Sequence, residues 1–409
     1  MSDQNKNNGL TRRDFVRTIG AASLAAAGIP VAQALAAEAP AAPGKSAVMP
    51  KRKLGKIEVE VPILALGGMF DTINNQLLLR QALNWGITYW DTAEAYGNGL
   101  SEDGYGRYLA RNPEARKDIF LVTKLVPKEG EQNLSARLDK SLERLHTSYV
   151  DLFFIHGITT IGEMTPAFKD WGLEMKKAGK IKNFGFSTHA NMDENLLGAA
   201  KLDWIDAVMF SYNFRIMHEA KMREALDACA KAGTGLVAMK TQGGGPVKSD
   251  SEAELKMAGH FLERGFTDKQ AKIKAVWEEP RIASLCSQMP SLTILSANVA
   301  AARDQAALAK NEIESLRHFA SQTKGDYCAG CGRICLSAMD GAVPVNEVMR
   351  ALMYHREYGE PELARQTFAA LPEQVRQRLA EMDYSQAELA CPQGLAIAEL
   401  MHQASEMLA

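Results

Sequence analysis

Three short apolar runs in the first half of the chain each end on an ionisable residue. Residues 87–91 end on Asp91, with Tyr96 and Gly97 just behind it, residues 119–124 end on Lys124, and residues 150–156 end on His156. A phenol with its ordinary pKa of about 10 is protonated at neutral pH and can donate a proton to a developing alkoxide. A neighbouring ammonium favours the phenolate: at an effective dielectric of about 20 and a separation of about 4 Å the interaction is roughly 4 kcal/mol, or about three pKa units. Lys124 is therefore expected to make Tyr96 a stronger acid, and Asp91 to pair with Lys124 and hold it charged. His156, if neutral, can hydrogen-bond a substrate oxygen beside Tyr96. One acid, no nucleophile and no need for a metal suit reduction of a carbonyl by hydride.

Those residues need elements that bring strand ends together. Consecutive strands releasing polar groups at their carboxyl ends are how a parallel α/β barrel assembles a site. Apolar runs near 63–67, 87–91, 119–124, 150–155, 182–187, 205–211, 235–240 and 282–287 alternate with amphipathic patterns such as 74–84 and 134–145. In the second pattern Leu134, Leu138, Leu142 and Leu145 form one apolar stripe. Gly86, Gly179 and Gly233 each follow a helical pattern and precede a strand, where positive φ is needed. An open doubly wound sheet would need a glycine-rich turn after its first strand, and Leu66-Gly67-Gly68-Met69 is not G-x-G-x-x-G. The expected fold is a (β/α)₈ barrel over residues 51–320, with a helical, cysteine-containing extension over 321–409.

Asp91, Tyr96, Lys124 and His156 match, in type and strand position, the catalytic tetrad of the aldo-keto reductase superfamily, which the chain resembles over roughly residues 52–317. The resemblance includes Asp-Thr-Ala-Glu-x-Tyr-Gly at 91–97, Ser101-Glu102, Arg144, Gly185-Phe-Ser187 and Ser211-Tyr212-Asn213. It implies a small carbonyl or alcohol substrate and NADP(H), with NAD also open, bound at the carboxyl end of the barrel. By position it implies that Tyr212 stacks on the nicotinamide and that Ser187 contacts its carboxamide. Asn298 also keeps its place, and Lys240 lies before a Gly243-Gly244-Gly245 loop expected close to the cofactor. Three departures stand out: Met209 replaces a glutamine, Thr188 replaces an asparagine, and the phosphate loop reads Cys286-Ser287-Gln-Met-Pro290, with Ser291 a plausible cap for the next helix. Cys286 itself reads as a buried thiol.

Both ends of the chain carry further signals. Thr11-Arg12-Arg13-Asp14-Phe15-Val16-Arg17 precedes an uncharged Ala/Gly-rich run that ends in Ala34-Leu35-Ala36. The order of basic region, weakly apolar region and small-x-small site is that of a secretory signal, and the paired arginines resemble a twin-arginine translocation (Tat) signal. Residues 1–36 are thus expected to engage the Tat machinery and direct the protein to the periplasm, with 37–50 a linker. Pro30, Gln33 and the scarcity of large apolar residues argue against a stable membrane span. Near the other end, Cys328, Cys331 and Cys335 cluster and Cys391 precedes Pro392. They resemble a ferredoxin-type [4Fe–4S] arrangement of variant spacing, as in a branch of the same superfamily, although four thiolates also suit zinc. With 47 basic and 49 acidic residues the net charge is −2, so nothing favours nucleic acid. The sequence expectation is an exported oxidoreductase in which a cluster is a structural centre or relays electrons to a redox partner. The alternatives are a non-enzymatic electron-transfer or redox-sensing protein built on the barrel, and a zinc-stabilised binding protein.

Overall fold

The computed structural model describes residues 48–127, 133–244, 261, 265, 267–304 and 306–409. The expected export signal and most of the linker therefore lie outside the described residues. Residues 48–409 form one compact unit, and no helix among its described residues is long and apolar enough to cross a membrane.

A short antiparallel hairpin, β1 (Lys51–Lys53) with β2 (Glu60–Pro62), comes first. It has no counterpart in the sequence reading, because its two strands are too short to show a period. Leu54, Ile57 and Val61 from this segment are buried among the residues that fill the barrel interior. The Arg52 guanidinium donates to the carbonyls of Trp277, Glu279 and Ile282, tying the hairpin to the approach of the last strand. A Cβ at Gly55, where φ is +57°, would meet Gly235 N at 2.3 Å, so only glycine permits that approach.

Eight parallel strands then close a barrel: β3 (Leu64–Gly67), β4 (Tyr89–Asp91), β5 (Phe120–Leu125), β6 (Val150–Ile158), β7 (Ile181–Thr188), β8 (Ala207–Ser211), β9 (Gly235–Met239) and β10 (Ser284–Gln288). Strand parity decides what faces inward. On β5, Phe120 and Val122 fill the interior while Leu121 packs outward under the helices; on β6, Leu152 and Phe154 point in and Phe153 and Ile155 point out. Two residues on from Val122 comes Lys124, and two on from Phe154 comes His156, so each polar group inherits the inward face at its strand's carboxyl end. Each fully buried large side chain in these layers stabilises the fold by about 1.5–3 kcal/mol relative to exposure.

The helix Leu134–Arg144 buries Leu134, Leu138 and Leu142 against this outer layer. Helix Ala220–Ala232 ends at Gly233, with φ 71°, which turns the chain directly into β9.

Beyond the helix Lys310–Gln322, the extension has its own core, built from residues such as Val348, Leu352, Phe368, Leu379 and Met401. The 361–382 stretch reads in sequence as one helix. It is two, Pro361–Ala369 and Glu373–Arg378, because Pro372 between them lacks the N–H that a helix interior requires. The extension also joins the barrel by hydrogen bonds. Asn213 Nδ2 donates to the Tyr327 hydroxyl at 2.8 Å, Asn191 N donates to Gly330 O at 2.8 Å, and Arg333 N donates to Asn191 Oδ1 at 2.9 Å.

Candidate active site

The carboxyl ends of β4, β5 and β6 bring Asp91, Tyr96, Lys124 and His156 to one mouth. Lys124 Nζ donates to Asp91 Oδ1 at 2.5 Å, to the Thr92 carbonyl at 2.8 Å and to the Tyr96 hydroxyl oxygen at 3.4 Å. The Tyr96 and His156 rings meet edge to face, with centroids 5.8 Å apart. Behind them Glu102, fully buried, accepts from Thr123 Oγ1 at 2.5 Å and from Arg144 Nε at 2.7 Å. This network ties the helix Leu100–Arg111, which begins just after the Tyr96 loop, to the strand that carries Lys124.

The electrostatics differ from the sequence expectation at one point. Burial raises the Tyr96 phenol well above its ordinary 10, and the charges of Asp91, Cys286 and Tyr354 push it further, with Lys240 opposing. The Lys124 ammonium does not acidify Tyr96 as expected, because its charge is matched at 2.5 Å by Asp91, nearer than the phenol at 3.4 Å. Tyr96 is consequently held protonated. Burial likewise raises the Asp91 carboxyl, an effect that Lys124 counters. His156 is lowered well below 6.5 by burial and then by the charges of Lys124, Arg350 and Lys240, and its Nδ1 has no hydrogen-bond partner among the described residues. A protonated phenol beside a neutral imidazole can meet the oxygen of a carbonyl group.

The mouth opens into a cavity of about 250 Å³ lined by Asp91, Tyr96, His156, Met209, Met239 and Lys240, among others. Its roof is the extension: Arg350, Tyr354 and Tyr358 reach it from around the helix Val345–Arg356, and Leu363 and Thr367 from Pro361–Ala369. The sequence reading missed this roof, although Arg350, Tyr354 and Tyr358 at four-residue spacing form a stripe along one helix direction. It also missed His189, which lines the cavity and bonds Ser211 Oγ through Nδ1 at 3.1 Å. Cys286, read as a plain buried thiol, lines the cavity as well.

The positions assigned to cofactor binding divide. Lys240 lines the cavity, its Nζ lying 4.7 and 4.3 Å from the ring centroids of Tyr354 and Tyr358. Ser287 and Asn298 are joined at the rim of β10, where Asn298 Nδ2 donates to Ser287 Oγ at 3.1 Å. Ser291 caps the next helix as expected, accepting from Ile294 N. Ser187 is buried and accepts from Gly157 N at 3.0 Å. Tyr212 is not brought to the mouth. It follows Val208 and Phe210 on the outward parity of β8, is 1% exposed and packs on Phe210, whereas inward Met209 lines the cavity. Stacking by Tyr212 on a ring in this cavity is thus not the arrangement found.

In the extension, Cys328, Cys331, Cys335 and Cys391 line one small pocket with Ile334, Val345 and Leu395. All four are free thiols. Burial, with mutual repulsion among the sulfurs, pushes Cys328 up to about 12 and Cys331 up to about 11. Among the described residues no group of three or more His, Cys, Asp or Glu side chains is set to hold a single metal ion.

Comparison with known proteins accords with this geometry. Residues 67–322 match the aldo/keto reductase family, and the chain belongs to that family. An aldo-keto reductase of Schizosaccharomyces pombe, yakc [NADP(+)], is 34% identical over 158 residues, covering 34% of this chain and 45% of that protein. The L-galactose dehydrogenase of Arabidopsis thaliana is 25% identical over 262 residues, covering 58% of this chain and 78% of that protein. The chain spans about half the length of several of the curated relatives it matches. An aldo-keto reductase from Klebsiella pneumoniae, solved in complex with NADPH, shares the barrel with a TM-score of 0.54 at 21% identity, over 66% of this chain and 95% of that one.

Proposed function

We propose that this protein reduces a small carbonyl compound with a nicotinamide nucleotide, or runs the reverse oxidation of an alcohol. The observation that carries the reading is the placement of Lys124 Nζ between Asp91 and the Tyr96 hydroxyl, with a neutral His156 edge-on to Tyr96. In this scheme Tyr96 gives its proton to the carbonyl oxygen as the carbon is reduced, and His156 orients that oxygen through a hydrogen bond. Lys124, anchored by Asp91, steadies the phenolate that forms. The bound nucleotide supplies the hydride. Met209 and Met239 offer an apolar wall, Lys240 a cation, and the Ser287–Asn298 pair polar groups at the rim, a set whose chemistry fits a nicotinamide end and its phosphates. The Klebsiella relative's NADPH and the NADP(+) in the yakc name favour NADP(H) over NAD.

We also propose that the four cysteines hold a [4Fe–4S] cluster. Their convergence on one pocket supports metal ligation, and four cysteine thiols, one of them followed by proline, are the donor set such a cluster takes. The Tat-like amino terminus supports export to the periplasm, with the cluster structural or passing electrons to a partner protein. Metal and nucleotide analysis of anaerobically purified protein tests both parts. Iron with acid-labile sulfide and bound NADP(H) is expected; zinc without sulfide would replace the cluster. Carbonyl-dependent NADPH oxidation undiminished in Tyr96→Phe would remove the reductase scheme.

A further inference from the structure

The mouth holds positive charge that its own carboxylate does not balance. Asp91 is the one carboxylate among the described residues that line the cavity, and Lys124 already matches it. Lys240 and Arg350 face the same space. Lys240 Nζ rests on two tyrosine faces and forms no ion pair among the described residues. Arg350 pairs with Glu347, one turn back on its own helix, through Nη2, while its buried Nε has no hydrogen-bond partner among the described residues.

Two further observations point the same way. The Lys240 backbone sits at φ 55°, in the left-handed region that a side chain disfavours. Asn213 Nδ2 and Gly243 N both donate to its carbonyl, at 3.2 and 3.1 Å, and so hold it there. His189, like His156, is lowered by burial and then by the charges of Arg350, Lys240 and Lys124, so the cavity lies in a positive field. At about 250 Å³ the space is small.

We infer that the mouth selects small carbonyl substrates that carry a carboxylate beside the reacting carbon, gripped by Arg350 of the extension with Lys240 as a second cation. A guanidinium edge is the group best shaped to take a carboxylate, and a charged pair of this kind is stronger in a water-poor cavity than in solvent. The inference depends on the reductase reading for what happens to the substrate, but not for its binding. Nucleotide phosphates share the same chemistry, so the test separates the two sources.

Calorimetric titration of the full-length protein with oxamate, an unreactive analogue of a small 2-oxo acid, and with neutral oxamide of similar shape provides that test. Oxamate should bind at least ~10-fold tighter than oxamide, as expected for a charge-assisted contact. Arg350→Gln should abolish the preference, Arg350→Lys should restore part of it, and Lys240→Gln should lower it independently, all with wild-type thermal melts. Equal binding of oxamate and oxamide overturns the inference. So does an Arg350→Gln protein that keeps the oxamate preference and loses only NADPH affinity. If NADPH-dependent turnover is absent while the oxamate preference still follows Arg350, the reductase reading falls and the carboxylate site stands.

Discussion

The barrel mouth and the cysteine pocket each gather four chemistry-bearing side chains, but they differ in how complete they are. At the mouth, Lys124 and Asp91 neutralise each other at 2.5 Å, and Tyr96 and His156 are held uncharged by burial. The cysteine pocket offers only thiols, of which burial and mutual repulsion raise Cys328 and Cys331 well above the ordinary thiol range. The first set is assembled by strand parity at Asp91, Lys124 and His156 and by the short loop after β4 that carries Tyr96. In the cluster proposed for it, the second would have to give up its thiol protons, because thiolate, not thiol, is the ligand form. One region is preorganised by the fold, and the other, on the cluster reading proposed for it, would be completed by iron.

The sharpest way to break this contrast is to disable the mouth without disturbing its charge balance. Tyr96→Phe removes one hydroxyl and should slow carbonyl-dependent NADPH oxidation by about 10²–10⁴-fold, with metal content and melting temperature unchanged. Disturbing the balance instead should damage folding. Lys124→Met leaves a buried carboxylate unpaired and should cost about 3–5 kcal/mol in denaturant unfolding. Asp91→Asn combined with Lys124→Met should recover much of that loss, since neither variant charge then remains.

The cysteine pocket should respond in the opposite sense. Cys391→Ser is expected to lower bound metal and to destabilise the extension, seen as an early transition in thermal unfolding, while the barrel's main transition persists. A smaller effect is pH-linked. His156 and His189 have native pKa values below the unfolded 6.5, so between those values the unfolded chain binds more protons than the native one. Stability contributed by these two groups is therefore intact above 6.5 and declines as pH falls through the window beneath it. His189→Gln should make the melting temperature fall less steeply from pH 7 towards 5.

Much of the barrel is legible in the sequence because the period of two along a strand carries its own evidence. Ile87 to Asp91 and Val150 to His156 display both the buried run and the polar residue that ends it. The same parity, applied along β8 from Ala207, would have turned Tyr212 outward and Met209 inward; motif position overrode it in the sequence reading. The Tyr96 pKa shift was not legible, because it depends on burial and on a three-body arrangement with Asp91 and Lys124. The roof was hidden for a different reason. Arg350 and Tyr354 lie more than two hundred residues beyond Tyr96 and Lys124, and no local pattern announces so distant a contact.

The central claim is that hydride and proton reach one carbonyl at this mouth, the proton from Tyr96. Reduction of a 2-oxo acid with NADPH deuterated at nicotinamide C4 tests it directly. Deuterium is expected on the carbinol carbon of the wild-type product, formed at least ~10²-fold more slowly by Tyr96→Phe. Unlabelled alcohol, or labelled alcohol formed equally fast by the variant, would contradict it.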